Sequence, residues 1–211
     1  MVFKLLLTLI VFLNFFALGS SRMRAIIRTA GLQGAILGLL TLVAHEHIGS
    51  RQVIVATLTF AIKGVVIPSL LFRAIRDAHI RREVEPLLGF VPSLLFGGLG
   101  TALAVLFAGR LPLDGGTPDA YFVSTALSTI LTGFILIIAR HKAITQVVGY
   151  LILENGIFVF GLLLIEAMPF FVEMGVLLDV FVGVFIMGII INRIQRTFSS
   201  LDTVHLERLK D

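Results

Sequence analysis

The sequence contains no cysteine. This absence excludes disulfides, thiolate metal ligands, cysteine-bound iron–sulfur clusters and catalysis by a thiol. Charge is also scarce, because Asp, Glu, Lys and Arg make up 14% of the 211 residues, whereas soluble domains carry about 25%. Nucleophile–base sets, paired hydrolytic carboxylates and nucleotide-binding glycine motifs are missing as well. We therefore expect neither a catalytic site nor a cofactor in this chain itself.

Apolar residues are correspondingly abundant, at 57% of the chain and with a mean hydropathy of +1.03. A soluble protein of this size has no core large enough to bury them, so much of this surface must face lipid. A spanning helix takes about 20 residues, and long apolar runs predict an all-α, polytopic transmembrane helix bundle with seven spans. The runs are 2–19, 30–47, 52–72, 87–108, 121–139, 147–165 and 170–192.

The basic residues are divided unequally between the two sides of this predicted bundle. Loops 21–29, 73–86 and 140–146 and the tail from 193 hold thirteen Lys and Arg residues, whereas the opposite loops and the N-terminal end hold three. By the positive-inside rule, the N-terminus is external, the C-terminus is cytoplasmic, and the protein lies in the inner (cytoplasmic) membrane. Orientation thus explains a pI near 10.0 without a nucleic-acid partner. The first run also fits a signal peptide, but its length favours a retained span.

Three ionisable residues, Lys63, Glu154 and Asp179, fall in the middle third of their predicted spans. Burial of such groups in a membrane is costly, which makes them candidates for function. One interpretation is that Lys63 neutralises a carboxylate and only joins helices. The other is a proton relay, because three groups at similar depth cannot all be matched in one pair. Gly64 and Pro68 also weaken the helix around Lys63.

Other polar residues are weaker candidates. Glu173, Glu46 and His45 lie near the external ends of their spans, and Asn155 is placed to hydrogen-bond across helices. The motif HEH at 45–47 suggests a metal site, but neighbouring positions on a helix point apart and no third ligand is near in sequence. We expect an interfacial polar cluster there and no metal.

Two segments carry a resemblance to known families. The stretch TQVVGYLILENGIFVFGLLL (145–164) resembles the second helix of the K-type subunit of respiratory complex I and of the C subunit of multisubunit sodium/proton antiporters. MGVLLDVFVGVFIMGIII (174–191), with Asp179 four positions before Gly183, resembles the third helix. Together with four leading helices and IKGVVIP around Lys63, the chain as a whole resembles component E of hydrogenase-4.

This resemblance implies a membrane subunit of a formate hydrogenlyase-type complex related to complex I, in which Glu154, Asp179 and Lys63 contribute to proton or ion translocation. Its partners would be antiporter-like membrane subunits and a cytoplasmic hydrogenase arm that holds the [NiFe] centre and iron–sulfur clusters. The chain would comprise a four-helix region (1–110), a K-subunit-like region (111–193) and a cytoplasmic tail (194–211). The alternatives are a subunit of a cation/proton antiporter and a passive scaffold subunit.

Overall fold

The computed structural model describes residues 2–43, 49–77, 87–112 and 117–163, which form helices and no strand. The helices are α1 (Val2–Gly19), α2 (Met23–Val43), α3 (Ser50–Thr59), a π-helical segment (Phe60–Val66), α4 (Ile67–Asp77), α5 (Phe90–Ala108), α6 (Thr117–Ala139) and α7 (Ala143–Leu163). The π-helical segment joins α3 and α4 into one long helix, here called span 3.

Six helices in the described part of the chain are long and apolar enough to cross a membrane: α1, α2, span 3, α5, α6 and α7. The predicted all-helical, membrane-spanning class is therefore confirmed. The seventh predicted run, 170–192, lies outside the described residues, so the count of seven stays a prediction. The same holds for the orientation of the termini.

The second span begins earlier than predicted. Residues 21–29 were expected to form a loop, but α2 begins at Met23 and includes Arg24 and Arg28. Arginine favours helix formation, and both side chains are exposed, so their long stems can carry the guanidinium groups outside the apolar region. Backbone N–H groups of Ala25 and Ile26 donate to the Arg22 carbonyl, which marks the start of the helix.

Helix α2 lies at the centre of the bundle and contacts α1, span 3 and α7. Three glycines, Gly31, Gly34 and Gly38, face span 3 and allow the two backbones to approach closely. A Cβ atom added at Gly34 would lie 2.5 Å from Cβ of Lys63 and 2.7 Å from its carbonyl carbon. Small residues at such interfaces are the usual means by which membrane helices pack tightly.

Most of the buried apolar side chains in the described ranges form two clusters at different depths. The basic-side cluster lies toward the helix ends that carry Arg24, Arg76 and Arg140, and it consists of Ala17, Leu18, Met23, Ile26, Ile27, Ala30, Ile67, Leu71, Ile75, Leu136, Val148, Leu151 and Ile152. The opposite-side cluster consists of Leu7, Ile10, Ile36, Leu37, Leu40, Phe122, Ala126, Phe158, Val159 and Leu162.

Between the two clusters, five spans contribute buried polar side chains that we call the polar layer: Asn14, Gln33, Lys63, Thr129, Glu154 and Asn155. Helices α1 and α2 pack on α6 and α7, so the polar layer connects the N-terminal spans with the last two described ones. The outer face of α5 is apolar. On α5, Val91, Leu95 and Leu106 are each more than 60% exposed, as expected for a helix that faces lipid.

The close contact at Gly34 gives a first prediction. Gly34→Ala should push span 3 away from α2 and lower the free energy of unfolding by about 1–3 kcal/mol, the usual cost of overpacking. Thermal unfolding of the detergent-solubilised protein, followed by loss of the monodisperse peak on size exclusion, measures this change.

Gly161→Ala is the matched control, because a Cβ atom there meets nothing within 4 Å. This variant should be neutral or up to about 1 kcal/mol more stable, since alanine favours a helix over glycine. Equal effects of the two substitutions would contradict the close approach of α2 to span 3.

Candidate functional site

Lys63 lies on the π-helical segment near the middle of span 3. At 1.5 Å per residue it is about 15 Å from Val53 and about 20 Å from Arg76, the ends of the apolar stretch. The local sequence explains the wide helical turn. Pro68 has no N–H to donate to the carbonyl of Gly64, four residues earlier, and the Ile67 N–H donates to the Ile62 carbonyl, five residues earlier. Such π-type turns occur frequently at functional sites.

Lys63 is 5% exposed, and its side chain contacts three residues of α7. Its Nζ lies 3.8 Å from Oε1 of Glu154 and donates a hydrogen bond of 3.3 Å to Oδ1 of Asn155. It also lies 5.5 Å from the centroid of the Phe158 ring. Glu154 is itself 3% exposed. The ammonium therefore has a carboxylate, an amide oxygen and an aromatic face as partners, all within about one turn of α7.

A chain of side-chain hydrogen bonds continues from this pair across the bundle. Nδ2 of Asn155 donates to Oε1 of Gln33 at 3.4 Å, and Nε2 of Gln33 donates to Oδ1 of Asn14 at 2.7 Å. Nδ2 of Asn14 then donates to Oγ1 of Thr129 at 2.9 Å. The Thr129 hydroxyl ends the chain by donating to the backbone carbonyl of Thr125 at 2.7 Å.

Every hydrogen bond in this chain points in the same direction, away from Lys63. The direction is set at both ends, because an ammonium group only donates and a backbone carbonyl only accepts. Bonds aligned in this way polarise one another, and each amide turns its oxygen toward the ammonium. The chain thus stabilises a positive charge on Lys63. Of the six side chains of the polar layer, Lys63 and Glu154 are the ionisable ones, and the Asn, Gln and Thr groups only donate and accept hydrogen bonds.

The structure thus brings together two of the three residues singled out as deep charges, Lys63 and Glu154, and it places Asn155 between span 3 and α2. Asp179, Glu173, His45 and Glu46 lie outside the described residues. Sequence reasoning missed Asn14, Gln33 and Thr129. For Asn14 and Thr129 the available signal was a neutral polar side chain well inside a long apolar run, whereas Gln33 is only the fourth residue of its predicted run, 30–47.

Arg140 is a second buried cation. It lies in the turn between α6 and α7, inside the predicted loop 140–146, and it is 0% exposed although a charged loop residue is usually solvated. Its Nη1 donates to the Leu88 carbonyl at 3.0 Å and its Nη2 to the Leu18 carbonyl at 2.8 Å. The guanidinium carbon lies 4.8 Å from the centroid of the Phe90 ring.

These contacts place the guanidinium at the C-terminal end of α1, where unpaired carbonyls and the helix dipole favour a cation. Burial lowers the pKa of Arg140 from its ordinary value, since desolvation disfavours the charged form. Arg140 itself lies in the α6–α7 turn, and its bond to Leu88 also binds the segment before α5. One guanidinium group thus connects three parts of the chain: the end of α1, the segment before α5 and the α6–α7 turn.

Arg140→Lys should destabilise the bundle although it keeps the charge, because an ammonium group cannot reproduce the planar fork that serves two carbonyls. A carbonyl left without its donor costs about 1–3 kcal/mol, which thermal unfolding in detergent measures. The control is Arg28→Lys, at an exposed position of α2, which should stay within about 0.5 kcal/mol. An unchanged Arg140→Lys protein would show that one of the two bonds contributes nothing.

Residues that could hold a metal ion are not grouped in the described ranges: no three His, Asp or Glu side chains come together there. The acidic and amide groups near Lys63 are instead committed to hydrogen bonds and to the ion pair. The arrangement therefore holds a cation and a carboxyl group together in the buried middle of the described bundle.

Comparison with known proteins identifies two kinds of relative. The chain is 33% identical over 193 residues to the uncharacterized protein Rv0085 of Mycobacterium tuberculosis, with 90% of this chain and 87% of that protein covered. It is 29% identical over 157 residues to hydrogenase-4 component E of Escherichia coli strain K12, with 72% and 70% covered. Hydrogenase-4 component E of Shigella flexneri matches to the same extent.

No protein-family model matches the chain, and no solved structure matches it. The similarity to hydrogenase-4 component E supports the resemblance deduced from residues 145–191 and IKGVVIP. The resemblances to the K-type subunit of complex I and to the antiporter C subunit stay predictions.

Proposed function

The chain belongs to the same protein family as Rv0085 of Mycobacterium tuberculosis, and we propose that it is a membrane subunit of a hydrogenase-type redox complex. The similarity to hydrogenase-4 component E supports this proposal. Its partners are other membrane subunits, antiporter-like ones among them, and a cytoplasmic arm that holds the [NiFe] centre and iron–sulfur clusters. The location is the inner (cytoplasmic) membrane.

Within that complex, the role of this chain is to contribute buried charges to proton translocation, with Lys63 and Glu154 as the central pair. The observation that supports this role is an ion pair at mid-membrane depth in which both side chains are at least 95% buried. Such residues are rare in membrane spans and commonly mark ion or proton pathways. Asp179 is proposed as a second carboxyl group on the same path.

The contacts of Lys63 explain how Glu154 can change its charge without loss of the fold. If Lys63 had only the carboxylate as a partner, neutralising Glu154 would leave an uncompensated buried charge, at a cost of about 3–5 kcal/mol. Lys63 also contacts the Asn155 oxygen and the Phe158 ring. These partners do not titrate, so they remain in place when Glu154 binds a proton.

Gentle extraction from membranes should recover this chain together with several membrane subunits and a hydrogenase arm. The measurement is mass spectrometry of an affinity-purified complex combined with a hydrogenase assay on the same sample. Recovery with antiporter subunits and no redox subunit would support the antiporter alternative. Recovery of a stable, isolated chain would contradict both subunit assignments.

Glu154→Gln should leave assembly intact and strongly reduce proton transport, because it keeps the size and hydrogen-bonding capacity of the side chain and removes the exchangeable proton. Without a positioned acid or base, proton-transfer steps commonly slow by a factor on the order of 100 or more. Subunit stoichiometry and proton transport should be measured on one preparation in sealed vesicles. Asp119→Asn, the same change at the beginning of α6, is the matched control and should leave both unchanged.

The two interpretations of Glu154 differ in their outcome. A purely structural ion pair predicts loss of assembly in Glu154→Gln, since Lys63 would lose its counter-charge. Normal assembly with undiminished transport would remove Glu154 from the translocation path. Lys63→Met should reduce transport as well, because it removes the positive charge beside the carboxyl group.

A further inference from the structure

A small cavity borders the polar layer at Lys63 and Asn155. Its volume, counted as the space that the centre of a water molecule can occupy, is about 10 Å³. This is near the lower limit for holding one water molecule. Apart from the lysine and the asparagine, the wall consists of glycine, proline and aliphatic side chains, among them Ala30, Pro68 and Leu71. The polar groups are therefore concentrated at one end of the cavity.

The cavity extends from Lys63 toward the basic side of the bundle, as the positions of its lining residues on three helices show. On span 3, Pro68 and Leu71 follow Lys63 on the way to Arg73 and Arg76. On α2, whose Gly34 packs against the Lys63 backbone, the lining residues Ala30 and Ile27 lie toward Arg24. On α7, Leu151 lies one turn from Asn155 toward Lys142.

Little distance remains between the end of the cavity and the basic surface. Leu71 is two residues from the exposed Arg73, which corresponds to about 3 Å along a helix. Ile27 is next to the exposed Arg28. The lining therefore covers most of the depth between Lys63 and the surface where long basic side chains meet water.

On the other side of Lys63, the packing is apolar. Phe158 lies against the ammonium group, and behind it lies the opposite-side cluster, including Leu37 at 0% and Val159 at 0% exposure. The amide chain through Gln33 and Asn14 leads sideways to a backbone carbonyl and offers no titratable group. Both sides of Lys63 are thus lined by apolar side chains, and they differ in packing, because the cavity lies on the basic side.

We propose that this cavity is a water-binding site through which Lys63 and Glu154 exchange protons with the basic side of the membrane, and that the opposite side is closed to water in this conformation. A water molecule in the cavity has Lys63 and Asn155 as polar partners, which meets the minimum of two that a buried water needs. This inference rests on the proposed function for the identity of the two residues that exchange protons. What it adds is the side of the membrane from which water reaches them.

The experiment uses the absence of native cysteine. Single cysteines are placed on the cavity by Ala30→Cys and Leu71→Cys, and the assembled complex is kept in sealed membrane vesicles. Ag⁺ is the probe, because it is about as small as water and reacts with thiols that water reaches. After exposure to Ag⁺ the membranes are denatured, remaining thiols are labelled with biotin maleimide, and the label is read on this subunit.

Matched controls are Ala126→Cys and Leu37→Cys, which make the same changes in the opposite-side cluster at positions of 0% exposure. Two further variants show which face of the membrane is on the outside of the vesicle. These are His141→Cys and Arg110→Cys, both at exposed positions, and they are labelled with an impermeant maleimide. His141 lies on the basic side and Arg110 on the other.

We expect Ag⁺ to remove most of the later labelling at 30 and 71, and only when it is applied to the face on which residue 141 is labelled. Labelling at 126 and 37 should not change. The proposal would be overturned by any of three results. Ag⁺ could leave the labelling at all four positions unchanged, it could remove the labelling equally at all four, or it could reach positions 30 and 71 from the face on which residue 110 is labelled. The readout does not use transport, so it stays valid whatever Glu154→Gln shows.

Discussion

The ammonium group of Lys63 is the constraint on which the rest of the bundle depends. A cation in the middle of a membrane protein is stable only if oxygen atoms or aromatic faces surround it. Meeting that condition requires the long Lys63 side chain to reach α7, where Glu154, Asn155 and Phe158 supply those groups. The approach of α2 to the Lys63 backbone is possible because residue 34 is a glycine. One buried charge therefore constrains how span 3, α2 and α7 are placed relative to one another.

The polar layer also sets the register of the helices. Apolar side chains pack almost equally well against each other or against lipid, so burial of apolar surface discriminates weakly between alternative helix positions in a membrane. The amides of Asn14 and Gln33 meet only when α1 and α2 are at one particular height, and a shift of one residue would move either partner by about 1.5 Å along its axis. Since the layer separates two apolar clusters, it fixes the register for both.

Much of this architecture could be predicted from the sequence, and the exceptions have physical reasons. Apolar length alone identified the six described spans, and depth in those spans identified Lys63 and Glu154. The start of α2 at Met23 was missed because arginines were interpreted as loop residues, although their stems allow them to occupy a helix end. Arg140 lies in its predicted loop, but its burial could not be predicted, since a charge count cannot distinguish a solvated cation from one that binds two carbonyls. The bond from Asn155 to Gln33 joins residues 122 positions apart, and only packing determines such a pair.

The hydrogen-bond chain also bears on the energetics of the proposed proton exchange. Neutralising the only counter-charge of a buried lysine costs about 3–5 kcal/mol, which is on the order of the work of moving one to two charges through a membrane potential of about 100 mV, at about 2.3 kcal/mol per charge. A hydrogen bond to a charged group contributes about 1.5–3 kcal/mol, and Lys63 makes one to Asn155. Because the amide does not titrate, this bond is present in both states of Glu154, so it stabilises the buried ammonium throughout and does not reduce the difference between the states. On the proposed path, the amide chain therefore keeps Lys63 bound to an oxygen atom at every stage, and the energy for the change of charge at Glu154 comes from the membrane potential or from the redox reaction.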